Sequence, residues 1–376
     1  MKFAREIGPQ DNRLASLDQF RGFTVVGMYF VNYLGAYAAA PSVFKHNDTF
    51  CSFADIIMPQ FFFAVGLAFR LTFLRAREKH GAGQAYRHAV KRNTTLLLFG
   101  AFAYSIGDIL MIGKHLSRMS FAAYLSHMVC GNMFQTLVHI AVTSLWVMPV
   151  IGAGPLARVI FLLFSGALHA GISSAWYYEW GIESRIIDGG FMGFLSWTIP
   201  VLCGSLACDL VMKLNRRDAV RWLIIIGAGI MALGYGLSCL NAANHVRAGL
   251  STSGDIGSWL VEPPFVAPSR PVDMWTMSQK MGSVSYLTFA AGFAMTVYAL
   301  FVIVCDMRGL RWAIFRTFGQ NALMAYIIEH AGQGLGRLAV PRGAPLAFAL
   351  AGYLIVFGAN YLIMRFFEAK RIYLKL

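Results

Sequence analysis

The stretch RLASLDQFRGFTVVGMYFVNYLGAYAAAPSVFKHNDTFCSFADIIMPQFFFAVG, Arg13 to Gly66, decides the fold. It reads as an apolar segment with polar residues at chosen depths, then a short polar loop, then a second apolar segment. At about 100° per residue, Asp18, Arg21 and Asn32 fall within an arc of roughly 60°, so one face of the first segment is polar from end to end. Such a face cannot look at lipid, because ionisable and amide groups at membrane depth are costly unless they face other helices or a wet cavity. The stripe is therefore a candidate site. His46 lies in the joining loop, and Asp55 opens the second segment.

Composition carries this reading to the whole chain. Of 376 residues, 57% are hydrophobic and 13% charged, against about 25% charged in an average globular protein. The chain reads as a polytopic membrane protein. A net charge of +14 would suit nucleic acid in a soluble protein, but here the basic residues follow topology, and no nucleic-acid partner is expected. None of the six cysteines forms a C-x-x-C pair, so they read as small buried hydrophobes. Cys51 and Cys130 fall near the ends of segments on one side and are the candidates for a pair in an oxidising compartment. Ala38-Ala39-Ala40 resembles a signal-peptidase site, but the long segment before it holds Asn32 and Pro41 follows at once. It reads as a retained first span.

Windows of about 20 apolar residues mark roughly ten spans, near 20–40, 54–74, 94–113, 131–150, 156–173, 191–212, 222–241, 284–304, 313–333 and 345–366. The expected fold is all-α, one transmembrane bundle over 1–376. Lys and Arg collect in alternate connections: the N-terminus, Arg75 to Arg92, Lys213 to Arg221, Arg308 to Arg316 and the C-terminal tail. The positive-inside rule makes these cytoplasmic, which places both termini inside and His46 outside. The longest connection, 242–283, then lies outside; it carries four prolines with Trp259 and Trp275. Loops of this length tend to be lids, binding loops or flexible segments, and the two tryptophans suit either stacking on a sugar ring or resting at the headgroup level.

A second polar stripe, Asn132, Gln135, His139 and Thr143, falls within roughly 80° on the helix of the fourth span. It reads either as interhelical hydrogen bonding or, with the first stripe, as the wall of a hydrated centre. Arg70 and Arg158 read as side chains reaching to the cytoplasmic interface. In the ninth span Glu329 and His330 interrupt an apolar run; adjacent helical residues point about 100° apart, so the two cannot easily address one atom. His46 is flanked by Lys45, Asn47 and Asp48 and becomes a base or nucleophile only if something orients it. Asp55 is the candidate, although the start of a helix also suits a carboxylate as dipole partner. No Walker A, H-E-x-x-H or G-x-S-x-G sequence is present, so a metal or serine hydrolase has no support and no metal site is expected.

Taken together these residues resemble the transmembrane acetyltransferases typified by heparan-alpha-glucosaminide N-acetyltransferase. The resemblance rests on Arg13-Leu14, Ser16 to Gly22 (SLDQFRG), Val31-Asn32-Tyr33, Phe44-Lys45-His46 and Ala54-Asp55 through Pro59 to Gly66. It recurs more weakly around Gln135, at Ser283 to Tyr286 (SVSY), at Asp306 with Gly309-Leu310, and at Gly319, Asn321 and Tyr326. Glu329-His330 departs from the family, whose two residues tend to stand in the reverse order. The resemblance implies acetyl-CoA as cytosolic donor, an amino sugar or other glycan as acceptor on the far side, and His46 as the catalytic residue. A bacterial inner-membrane member is the form that the length and plain loops suggest.

The expected site follows. Catalysis falls to His46, with Asp55 orienting it and Asn32 holding or polarising the thioester carbonyl. Asp18, Arg21, Gln135 and Arg92 are the candidates to hold acetyl-CoA. Trp259, Trp275, Glu329 and His330 are the candidates for the acceptor. Membrane lipids surround the bundle, and a second copy of the chain is a candidate partner. The rival function is a transporter or carrier of a sugar or lipid-linked substrate; that class uses repeats and broken helices, and no repeat or break is legible in the sequence.

Overall fold

In a computed structural model, residues 14–249 and 256–374 are described, and they contain helices and no strand. In chain order the helices are α1 Ala15–Leu34, α2 Ile57–His80, α3 Ala82–Leu110, α4 Ile112–Leu116, α5 Phe121–Ser126, α6 Thr136–Ile151 and α7 Pro155–Ile172. There follow α8 Tyr178–Glu183, α9 Phe194–Lys213, α10 Arg216–Arg247, α11 Val284–Phe301, α12 Ala313–Gln320, α13 Ala322–Ala339 and α14 Leu346–Ala369. Local chemistry starts several of them. Asn215 accepts from the Asp218 N–H at 3.0 Å to cap α10, and Pro155 opens α7 where its missing N–H costs nothing.

Among the described residues six stretches are long and apolar enough to cross a membrane: Ile57–His80, Pro155–Glu183, Gly190–Lys213, Arg216–Arg247, Val284–Met307 and Leu346–Ala369. The architecture is that of a helical membrane protein. The remaining predicted segments are helical too, but α1 carries Asp18 and Arg21, α6 is short, and the ninth is interrupted. Burial separates centre from rim: 83% of the α9 stretch is buried, against 22% for α10 and 11% for α14. The outward faces of the rim helices carry Leu354, Ile355 and Leu362 on α14 and Trp222 and Ile225 on α10, the apolar surface that hydrocarbon can solvate.

Close backbone contact brings the central helices together. A Cβ on Gly66 of α2 would stand 1.8 Å from the Val201 carbonyl oxygen of α9, so only glycine permits this approach. Gly22 of α1 meets the Phe315 oxygen of α12 in the same way, at 1.8 Å. The polar residues of SLDQFRG complete that joint. The Ser16 hydroxyl donates to Asp306 at 2.6 Å, and Gln19 exchanges two hydrogen bonds with the Trp312 backbone at 3.2 and 3.0 Å.

Several expectations need correction. The fourth span is not one helix: residues Phe134 and Gln135 form a bend between a wide turn over His127–Met133 and the start of α6. Gln135 is extended (φ −114°, ψ −174°), so the 100° phase that aligned the second stripe is lost there. His139 and Thr143 are then fully buried, His139 between the rings of Phe134 and Trp197. Arg70 and Arg158 do not reach for the interface. Both are buried and converge on Asp209 of α9: the Arg70 Nε is 3.0 Å from Oδ1, and Arg158 pairs with Oδ2. The ninth segment is broken at Asn321, between α12 and α13. There the Asn321 side chain donates to the Ile372 oxygen at 3.0 Å and accepts from the Leu374 N–H at 3.1 Å, so the tail is stitched to the break. Helix α10 runs on to Arg247, several residues into the expected long loop. Cys51 is a free buried thiol, and Cys130 lies among side chains outside the described set.

Candidate active site

After α1 the chain turns through Ser42–Phe44 and delivers His46. This loop is held by packing and hydrogen bonds from several directions. The Phe44 ring sits edge-on to Phe30 and Phe53, the Ala54 N–H donates to the Val43 oxygen at 3.2 Å, and the Ser52 hydroxyl donates to the Lys45 oxygen at 2.7 Å. Asp55 is fully buried just before α2. Its backbone oxygen accepts from the Tyr286 hydroxyl at 2.6 Å, which ties the SVSY segment to this corner.

The His46 imidazole is bound at both nitrogens. Nδ1 is 2.9 Å from Asp55 Oδ1, and Nε2 is 3.2 Å from Asn32 Oδ1. Asn32 in turn donates from Nδ2 to Glu329 Oε1 at 3.1 Å. Glu329, Asn32, His46 and Asp55 thus form one hydrogen-bonded chain from α13 through α1 to the start of α2. The His46 side chain keeps 44% of its surface accessible although protein surrounds it densely. Both are true of a group that faces an internal cavity. Burial works to lower the affinity of His46 for a proton, but the hydrogen bond and charge of Asp55, with the charge of Asp188 and a bond from Gln279, outweigh it. The net effect lies above the ordinary histidine range. Burial beside Asp55 pushes the Cys51 thiol up, so that sulfur stays protonated and inert.

The cavity has a volume of about 900 Å³ and is lined from one end by Arg21, His88, Arg92 and Gln320, and at the other by His46, Asp48, Asp188, Gln279 and Lys280. Along α1 the distance from Arg21 to Asn32 is about 16 Å. The Arg21 and Arg92 charges act on one another, so two guanidinium groups gather at one end. A Cβ on Gly319 would stand 1.9 Å from the Asp18 oxygen, which sets the α12–α13 break at this same end. From there α13 runs beside α1, with Tyr29 donating to the Ala325 oxygen at 2.6 Å, until Glu329 meets Asn32. Between the ends the wall is apolar, with Met28, Val31, Phe61 and Val65 among its residues.

Of the residues predicted from sequence, His46, Asp55, Asn32 and Glu329 come together, and His46 and Asn32 share the cavity with Arg21 and Arg92, while Asp55 and Glu329 stand behind its wall. Asp18, Gln135, Trp259 and Trp275 do not line it. Gln135 is displaced by the bend, and Thr136 and Leu137 take its place. Trp275 is anchored by its own loop, its N–H donating to Asp273 at 2.9 Å. The side chains of Asn132 and His330 lie outside the described set.

Beside His88 on α3, three loop residues of this site escaped the sequence reading: Asp188, Gln279 and Lys280. They come from two loops far apart in the chain, joined where the Gln279 amide donates to Asp188 Oδ1 at 2.9 Å. Asp188 is in the left-handed region (φ 57°), followed by Gly189 at φ 82°. A tight polar turn opening on two glycines was the only signal available. Burial, reinforced by Asp55, raises the Asp188 carboxyl to about 6, against the pull of Gln279 and His46. Among the described residues no group of His, Cys, Asp and Glu is placed to hold a metal ion.

No protein-family model matches the chain, and no curated protein matches it.

Proposed function

We propose that this chain is a transmembrane acyltransferase that moves an acetyl group from acetyl-CoA to an amine or hydroxyl of an amino sugar or other glycan. The observation that carries this reading is a braced histidine at one end of a cavity, beside Asp48, Asp188 and Lys280, whose other end gathers two arginines. Coenzyme A has several phosphate charges, which hydrocarbon excludes, whereas its thioester sits at the end of a long neutral arm. A cavity with Arg21, His88 and Arg92 at one mouth suits the phosphates, and its apolar length suits the arm. The thioester then meets the acceptor beside His46.

In the transfer, Nε2 of neutral His46 takes the proton of the acceptor as its nitrogen or oxygen bonds to the acetyl carbon. The carbon–sulfur bond breaks, and the departing thiolate takes the proton. General-base action of this kind contributes roughly 10²–10⁴-fold. The alternative, in which Nε2 itself accepts the acetyl group and passes it on, uses the same atom. Asp55 orients the ring through Nδ1, as the carboxylate of a triad does.

The full topology belongs to this proposal: roughly ten spans, with both termini and the Arg75–Arg92 loop cytoplasmic and His46 outside. The resemblance of SLDQFRG and Phe44-Lys45-His46 to the heparan-alpha-glucosaminide N-acetyltransferase family supports it, with a bacterial inner membrane as the setting. The test is acetylation of an amino sugar by the purified protein in detergent, followed by mass spectrometry with acetyl-CoA as the only donor. Product from the native chain supports the reading; its absence across amino-sugar and hydroxyl acceptors would contradict it.

One observation favours the rival carrier. A broken segment at Asn321 lines the cavity, and carriers bind substrate at such breaks. The tail residues Ile372 and Leu374 occupy the Asn321 side chain, however. Uptake of a labelled sugar into proteoliposomes without acetyl-CoA would favour the carrier; the acyltransferase reading predicts none.

A further inference from the structure

The chain of hydrogen bonds at His46 has a direction, and that direction depends on Glu329. An ionised carboxylate only accepts. Glu329, 1% exposed, is met at Oε1 by the Asn32 Nδ2 at 3.1 Å and also by the Gln333 amide nitrogen. The Asn32 amide must therefore turn its NH₂ to an ionised Glu329, and its Oδ1 falls on His46 Nε2. An oxygen acceptor there requires a proton on Nε2. Asp55 Oδ1 requires one on Nδ1 in the same way. With both carboxylates ionised, the arrangement selects the doubly protonated imidazolium.

A base or nucleophile needs the opposite state, with no proton on Nε2. If the Asn32 amide rotates by half a turn, its NH₂ faces Nε2 and its oxygen faces Glu329, which must then carry a proton. We infer that Glu329 is a positioning residue that controls the protonation of His46 through the rotation of the Asn32 amide. The catalytic meaning of this device rests on the acyltransferase reading, whereas its test does not. One proton leaves Nε2 and one arrives at Glu329 by exchange with solvent, so the cluster keeps its total charge. That conservation matters in a buried site, where a change of net charge is costly.

The other groups that bear on His46 act differently. Asp55 and Asp188 act through charge or direct contact, the first on Nδ1 and the second across the cavity wall, and Gln279 holds Asp188. Glu329 alone among these carboxylates reaches His46 by way of Asn32. Its influence should therefore vanish when the amide is removed.

Diethyl pyrocarbonate modifies neutral imidazole, and mass spectrometry of the His46 peptide reads the pH of half-maximal modification in the full-length protein without any substrate. Glu329→Gln can satisfy Asn32 in either orientation, and Glu329→Ala in neither; both free the amide. Each should lower that pH by about one unit, and the second variant keeps the test intact if the first fails to fold. In an Asn32→Ala background, Glu329→Gln should produce no further shift, while Asp188→Asn lowers the pH in either background. An equal shift from Glu329→Gln with and without Asn32 would show a through-space charge effect and overturn the proposal. No shift from either Glu329 variant in the native background would overturn it as well.

Discussion

His46 Nδ1 stands 2.9 Å from one oxygen of Asp55, and the other oxygen accepts the Ser52 backbone N–H at 2.9 Å. Both carboxylate oxygens are thus committed, one to the imidazole and one to the main chain. In Asp55→Asn the Ser52 N–H must take the amide oxygen, because the NH₂ cannot accept it. The NH₂ is then forced onto Nδ1, which becomes an acceptor, and the ring proton moves to Nε2. That is the wrong tautomer for a base facing the cavity. The expected loss in kcat is about 10²–10⁴-fold, measured on a protein that still elutes as a folded species. A loss below threefold would contradict the role given to Asp55.

Asp188 offers a change of charge with little change of shape. Asparagine tolerates the left-handed backbone found there, and its oxygen can still accept from Gln279. The negative charge of Asp188 helps to hold the His46 proton, so Asp188→Asn lowers the pKa of His46. More of the histidine is then neutral at a given pH. The acidic limb of kcat/KM against pH should move to lower pH. The difference should be present above about pH 6, where Asp188 is ionised in the native protein, and fade below it, where the native carboxyl is itself neutral. An upward shift would reverse the argument.

The sequence made the core of the site visible because its residues violate the apolar pattern around them. Asn32 in an apolar segment, Asp55 at the start of another and His46 between them are placements that have to be explained. Arg21 was legible for the same reason, whereas Arg92 was picked out only as the last basic residue of a Lys/Arg-rich connection. What was hidden has two causes. Asp188 and Gln279 belong to loops 91 residues apart, and no periodicity links loops. Arg70 and Arg158 were misread as interfacial because their partner, Asp209, is 139 and 51 residues away. The error at Gln135 is local: a single extended residue reset the helical phase.

The Arg70–Asp209–Arg158 cluster carries a prediction about stability. Arg158 is fully buried, its Nη1 donates to the Ser205 backbone oxygen at 2.7 Å, and both arginines rely on one carboxylate. Asp209→Ala leaves two cations without a counter-charge in the interior. The expected destabilisation is about 3–5 kcal/mol, read as a large drop in thermal unfolding temperature in detergent. Lys213 is 3.8 Å from Asp209 but mostly exposed, so Lys213→Ala should change stability by less than about 1 kcal/mol. Equal effects from the two variants would refute the cluster as a structural clamp.

The central claim, that the cavity brings an acetyl group from a donor on one side to His46 on the other, is tested most directly in sealed proteoliposomes of known orientation. Acetyl-CoA is supplied only on the side of Arg21 and Arg92, an amino sugar only on the side of His46, and acetylated sugar is measured. The account predicts product from the native protein and a loss of orders of magnitude in His46→Ala, with acetyl-CoA binding retained. Undiminished product from His46→Ala, or product only when donor and acceptor share a side, would contradict it.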